Sequence, residues 1–214
     1  MEETFTCIYD KKRWGSKDGK GRSGNGDGLT PDNKWYNKTL MKHLSDTNSK
    51  TICDIGCGDW EVSKYADWNG YYYMGIDCVK SVIEENIKNY AGKCIAFRHQ
   101  DASITIPEGF DFVILKDVIQ HWDSEIIAEV LPQLIKKNRY VFLGNGYMFG
   151  RDRTKNDWKT RTIDRVYKYH PVDITKEPLC HMNLNVIDIQ HKRFKEFILI
   201  SSSCSASVSS PSLL

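Results

Sequence analysis

The segment Asp54-Ile55-Gly56-Cys57-Gly58-Asp59-Trp60 is the part of this chain best suited to hold a ligand. It follows a short apolar run, and its glycines let the backbone approach a ligand where a side chain would collide. Two ligand types fit such a turn. A dinucleotide site wants a third glycine, as Gly-x-Gly-x-x-Gly, but Glu61 stands at that position. An adenosyl amino acid wants an acidic residue at the strand end, which Asp54 supplies. A second reactive segment is Lys116-Asp117-Val118-Ile119-Gln120-His121-Trp122. If the chain turns into a helix there, Asp117 and His121 lie four residues apart on one face. A carboxylate beside an imidazole orients it and raises its basicity. His121 is therefore the candidate general base, with Asp117 as its orienting partner or a substrate contact.

These residues need a frame that holds them at one edge. From about residue 50 the sequence alternates strand-like and helix-like segments. Strands are expected over Lys50–Ile55, Tyr71–Asp77, Cys94–His99, Asp111–Lys116 and Tyr140–Gly144. Helices are expected over about Asp32–Ser45, Trp60–Trp68, 79–90 and 123–136, the last interrupted by Pro132. Such alternation implies a parallel sheet with helices on both faces. Leu184–Ile189 and Phe194–Ile200, joined at His191-Lys192-Arg193, suggest a terminal antiparallel hairpin. The expected architecture is thus α/β and Rossmann-like, one domain over 1–200, with a leader at 1–48 and a catalytic core at 49–200. Residues 201–214, mostly serine, read as a disordered tail.

Asp54, Gly56 and Gly58 resemble the first motif of the class I S-adenosylmethionine-dependent methyltransferases: an acidic residue, any residue, then Gly-x-Gly-x-Gly. Trp60 stands where the last glycine is expected. The resemblance spans roughly 50–145 and implies the fold above, methyl transfer, and S-adenosyl-L-methionine as cofactor. It implies cofactor contacts from Asp54, Gly56, Cys57, Gly58 and Trp60 on the first loop. Asp77, with Cys78 beside it, stands where the family's acidic residue receives the ribose hydroxyls. Asp101 and Ala102 stand where the adenine amino group is met, and Lys116 closes the fourth strand at the reacting centre. Asp-Val-x-x-His at 117–121, with Trp14-Gly15 and Ser23-Gly24-Asn25-Gly26 upstream, is similar to a group of sugar and glycan O-methyltransferases of bacteria and large DNA viruses. Some of these are fused to glycosyltransferases. That likeness implies that Trp14 and Ser23 help cover the cofactor, and that the acceptor is a sugar hydroxyl of a glycan or nucleotide sugar.

Other chemistries fail on the residues. Cys53 and Cys57 begin CxxxC, but Trp60 breaks the CxxxCxxC of a radical cluster. There is no P-loop, and no convincing oxygen set for Mg²⁺ forms around Asp117 and Asn145, so no metal is expected. Thirty basic and 28 acidic residues leave a net charge of +2, which gives no global argument for nucleic acid or membrane. The basic run 151–168 reads as a solvated face that could instead contact an RNA or a sugar-phosphate. Seven cysteines and no secretory signal pattern point to reduced thiols and a cytoplasmic setting. The rival readings are a small-molecule or RNA methyltransferase, and a non-catalytic module that binds the cofactor.

Overall fold

The computed structural model describes residues 2–15, 30–146, 172–174, 176, 179–193 and 195–202. Five parallel strands form its centre: β1 (Thr51–Ile55), β2 (Tyr72–Asp77), β3 (Ile95–His99), β4 (Phe112–Lys116) and β5 (Tyr140–Gly146). Two further strands, β6 (Asn185–Lys192) and β7 (Lys195–Ser201), are antiparallel, and β7 pairs with β5. The order is β3-β2-β1-β4-β5-β7-β6, so the direction of winding reverses between β1 and β4. Ligands bind at that switch point, beyond the carboxyl ends of the strands.

Alternation along each strand divides the core into two layers. Cys53, Ile55, Val113, Leu115, Val141, Leu143, Ile198 and Ile200 face α4 (Ser124–Lys137), which contributes Ile127, Val130, Leu131 and Leu134. Ile52, Phe112, Ile114, Phe142, Phe197 and Leu199 face the other way. There they meet Tyr36, Leu40 and Leu44 of α2 (Pro31–Asp46), and Ile83 of α3 (Lys80–Tyr90) lies in the same layer. Pro132 sits on the exposed side of α4, which continues through it. The start of α2 is set locally: the Thr30 hydroxyl accepts from the Asn33 amide at 3.2 Å and Pro31 takes the first helical position. Asp111 ties the feet of β1 and β4 by accepting from the amides of Lys50 and Thr51.

Three local expectations change. A helix over Trp60–Trp68 is replaced by turns and one 3₁₀ segment, Ser63–Tyr65. Trp60 has φ +60°, which cannot start a right-handed helix, and the Ser63 carbonyl accepts from the Trp68 indole at 2.8 Å. A helix α1 (Glu2–Asp10) stands where only a leader was expected, and its Tyr9 packs with Val79 and Val82. Ser201 belongs to β7 and Ser202 donates to the Arg139 carbonyl, so the tail does not begin at 201. Residues 203–214 lie outside the described residues. Among the described residues, no helix is long and apolar enough to cross a membrane.

Candidate active site

The first loop is shaped by glycine geometry and by β2. Gly56 and Gly58 have φ of +68° and +56°. A Cβ on Gly56 would lie 2.6 Å from Val118 Cγ2, so the loops after β1 and β4 touch there and leave no room for a side chain. The amides of Gly56 and Cys57 both donate to the Ile76 carbonyl, at 2.8 and 3.1 Å. Asn86 of α3 donates to the Gly58 carbonyl at 2.7 Å. The loop is therefore fastened to the end of β2 and to α3.

Two buried carboxylates lie beneath it. Asp77 accepts from the Gly58 amide on one oxygen (3.1 Å) and from the Val79 amide on the other (2.9 Å). Each oxygen keeps a lone pair for a hydroxyl. Burial pushes the Asp77 carboxyl up to about 6 against these amides, and the charge of Asp59 adds to the rise. Asp54 accepts from the Tyr73 and Ser63 hydroxyls, and burial likewise raises it to about 6. Asp101 accepts from the amide and hydroxyl of Ser103.

A cleft of about 780 Å³ opens above these groups. Asp54, Gly56, Cys57 and Gly58 line it, as do Asp77 and Cys78. Asp101, Ala102, Lys116 and Trp14 line it as well. Ser23 lies outside the described residues. Trp60 departs from the expectation that it touches the cofactor. It is buried among Tyr73, Tyr90 and Phe97 and does not line the cleft. Its backbone holds a left-handed conformation of the kind that favours glycine, at a cost of about 1–2 kcal/mol. The buried indole offsets that cost.

The Asp117–His121 pair is rearranged. Asp117 has φ +62°, and the following 3₁₀ turn covers only Ile119–His121, so the two residues do not share a helical face. The Asp117 carboxylate accepts from Lys116 at 2.8 Å and from Lys195 of β7. Burial alone would raise its carboxyl, but the two ammonium groups outweigh it and hold Asp117 far below the usual carboxylate range. Burial lowers the Lys195 ammonium, partly opposed by Asp117. The His121 ring instead meets Trp14 at 5.6 Å and Phe5 at 5.7 Å, and all three line the cleft.

Several lining residues carried no local signal in the sequence: Asp32 and Tyr36 of α2, Lys192, Arg193 and Lys195 of the hairpin. Because β7 runs antiparallel to β5, pairing Lys195 with Gly146, the hairpin turn returns to the carboxyl edge of the sheet. Phe5 and Tyr9 were legible in principle, since with Ile8 they give the i, i+3, i+4 spacing of a helix face.

The strand order, the switch-point cleft and the glycine loop define a Rossmann-like class I methyltransferase fold. Residues 53–143 match the family model described as a methyltransferase domain. Among solved structures, the chain is similar to magnesium protoporphyrin IX methyltransferase from Synechocystis PCC 6803 with bound S-adenosylmethionine. There the identity is 16%, coverage is 94% of this chain and 95% of that one, and the TM-score is 0.60. It is also similar to 1,6-didemethyltoxoflavin-N1-methyltransferase from Burkholderia thailandensis (14%, 94% and 86%, TM-score 0.65). An S-adenosylmethionine-dependent methyltransferase from Clostridium acetobutylicum ATCC 824 is a third (13%, 79% and 92%, TM-score 0.56). No curated protein matches the chain by sequence. The protein is an enzyme whose residues 53–143 match a methyltransferase domain, with S-adenosylmethionine as its cofactor.

Proposed function

We propose that the protein transfers a methyl group from S-adenosylmethionine to a hydroxyl of a sugar, in a glycan or nucleotide sugar. The cleft fits the cofactor on two counts. Gly56 leaves a cradle that any side chain would fill, and Asp77 is a buried carboxylate with an acceptor site left on each oxygen. In this reading Asp77 receives the ribose hydroxyls, Asp101 and Ala102 bound the adenine, and Gly56, Cys57 and Gly58 pass beside the amino-acid end. Bound there, S-adenosylmethionine supplies an electrophilic methyl group and leaves as a neutral thioether.

The observation that supports the sugar reading is the meeting of Trp14 and His121 at the cleft wall. These residues come from the two motifs in which the sequence resembles sugar O-methyltransferases, and they are 107 positions apart, from 14 to 121. His121 accepts the proton of the acceptor hydroxyl as its oxygen attacks. Asp117 stays ionised and holds Lys116 and Lys195 in place, a positioning role in place of the imidazole-orienting one expected from spacing. The free thiols of the six described cysteines agree with a cytoplasmic setting.

The test is methyl transfer from labelled S-adenosylmethionine to a panel of sugars and nucleotide sugars, with RNA and small aromatic acids in parallel. The expected result is transfer to a sugar hydroxyl, reduced at least about a hundredfold by His121→Ala with S-adenosylhomocysteine binding retained. Transfer to RNA or to an aromatic acid alone, or full turnover by His121→Ala, would overturn the assignment.

A further inference from the structure

The cleft is electrically divided. Over β1, β2 and β3 its charged walls are acidic: Asp54, Asp59, Glu61, Asp77 and Asp101. Over β4, β5 and β7 they are mainly basic: Lys116, Lys192, Arg193 and Lys195, against Asp32 and Asp117. Among the described residues, four cations thus face two carboxylates in one wing, in a chain whose net charge is only +2. Asp117 is engaged by Lys116 and Lys195, and Asp32 accepts from Arg193 at 3.0 Å. Lys192 lies 5.8 Å from the centre of the Trp35 ring, itself a wall of the cleft. An aromatic face gives a cation far less than a carboxylate does. After internal pairing, the wing retains surplus positive charge.

The surplus sits where the cofactor is not expected. If Asp77 and Asp101 take the adenosine, the β4–β5–β7 wing is left for the acceptor. The turn that carries Lys192 and Arg193 is held there by backbone geometry: Arg193 has φ +53°, and its guanidinium is tied to the first turn of α2. Two cations at a hairpin turn, with Lys195 beginning the next strand, all line the same cleft and offer charge complementary to a dianionic group. They do not form an extended track of the kind that a nucleic-acid backbone needs.

We propose that Lys192, Arg193 and Lys195 form an anion subsite that holds a phosphoryl group of the acceptor, so that the hydroxyl methylated belongs to a phosphorylated sugar. This rests on the sugar reading above and narrows it from glycans at large to acceptors that carry phosphate. Asp32 acts as the internal counter-ion that the phosphoryl group displaces from Arg193.

The probe is inorganic pyrophosphate, titrated calorimetrically into the full chain with and without saturating S-adenosylhomocysteine. Lys192→Gln and Arg193→Gln should each weaken pyrophosphate at least about tenfold. Asp32→Asn should tighten it several-fold, because it frees Arg193, a gain that mere loss of structure does not produce. Lys137→Gln, which removes a lysine paired with Glu108 away from the cleft, should change nothing. S-adenosylhomocysteine affinity should stay the same in all four variants. Methyl phosphate should compete with pyrophosphate and acetate should not, which separates phosphoryl from carboxylate sources. Equal pyrophosphate affinity in wild type and in the Lys192→Gln/Arg193→Gln pair overturns the subsite while leaving the methyltransferase assignment intact. Displacement of S-adenosylhomocysteine by pyrophosphate overturns it too, since the anion would then sit in the cofactor wing. Tighter competition by a single-stranded RNA oligonucleotide than by any sugar phosphate overturns the sugar acceptor. Pyrophosphate binding with these dependences, but no S-adenosylhomocysteine binding, would support the subsite and refute the cofactor reading.

Discussion

Cofactor affinity should depend on pH through Asp77. The carboxyl titrates at about 6 in the free protein because burial outweighs the two amides it accepts from. Ribose hydroxyls donate to the ionised form, so binding draws the group toward ionisation and lowers its pKa. Below about pH 6 the free protein must first lose a proton to bind. At about pH 5, one unit below the titration point, that costs about 1.4 kcal/mol, or about tenfold in affinity relative to neutral pH. The assay is calorimetric titration with S-adenosylhomocysteine across this range. Asp77→Asn should bind more weakly at every pH and lose the slope. Asp54→Asn should keep it, although Asp54 titrates in the same region, because the ribose hydroxyls are assigned to Asp77 and not to Asp54. A wild-type affinity that is flat from neutral to about pH 5, or an Asp77→Asn protein with the full wild-type slope, would refute the reasoning.

Other outcomes follow from the same geometry. Gly56→Ala should weaken S-adenosylhomocysteine by tenfold or more, because φ is +68° and the new Cβ meets Val118; adding Val118→Ala should restore part of the loss, read by the same titration. Trp60→Gly relieves the left-handed backbone, yet it should cost about 3 kcal/mol in urea denaturation, the loss of a buried indole exceeding the relief of strain. The free protein should gain stability as pH falls from about 7 to about 5, because Asp54 and Asp77 hold protons in the folded state that the unfolded chain releases. Buried His43, with its pKa lowered, opposes this gain. Below about 4 the curve should turn over, as the stabilisation from the depressed carboxyls of Asp111 and Asp117 is lost. Urea midpoints against pH, with Asp77→Asn flattening the first rise, provide the check.

The sheet was legible because its signals are local. Runs such as Phe112-Val113-Ile114-Leu115, bounded by polar residues, mark buried parallel strands, and the observed strands agree with the expected ones to within a few residues. The glycine loop was legible for the same reason. Trp60 was not, because nothing local shows that a tryptophan adopts a glycine's backbone conformation when an aromatic cluster waits behind it. The partners of Asp117 were hidden for a different reason. Four-residue spacing pointed to His121, but the residue at 117 is left-handed and no helix joins the two; the actual partners are the adjacent Lys116 and the distant Lys195 of β7. The domain match over 53–143 also stops short of that hairpin, which supplies much of the basic wing.

The two wings of the cleft differ in how far along the chain their parts lie. Gly58 and Asp77, which join the acidic wing, are 19 residues apart, whereas Asp117 and Lys195 of the basic wing are separated by 78. Closing the longer loop costs more chain entropy before any contact repays it. The cofactor wing should therefore assemble first in folding, with the acceptor wing closing when β7 docks beside β5. On a growing chain, the pocket for the methyl donor is encoded well before the residues that complete the other wing have been added. Under native conditions, amides of the β6–β7 hairpin should exchange through openings that leave β1 and β2 protected.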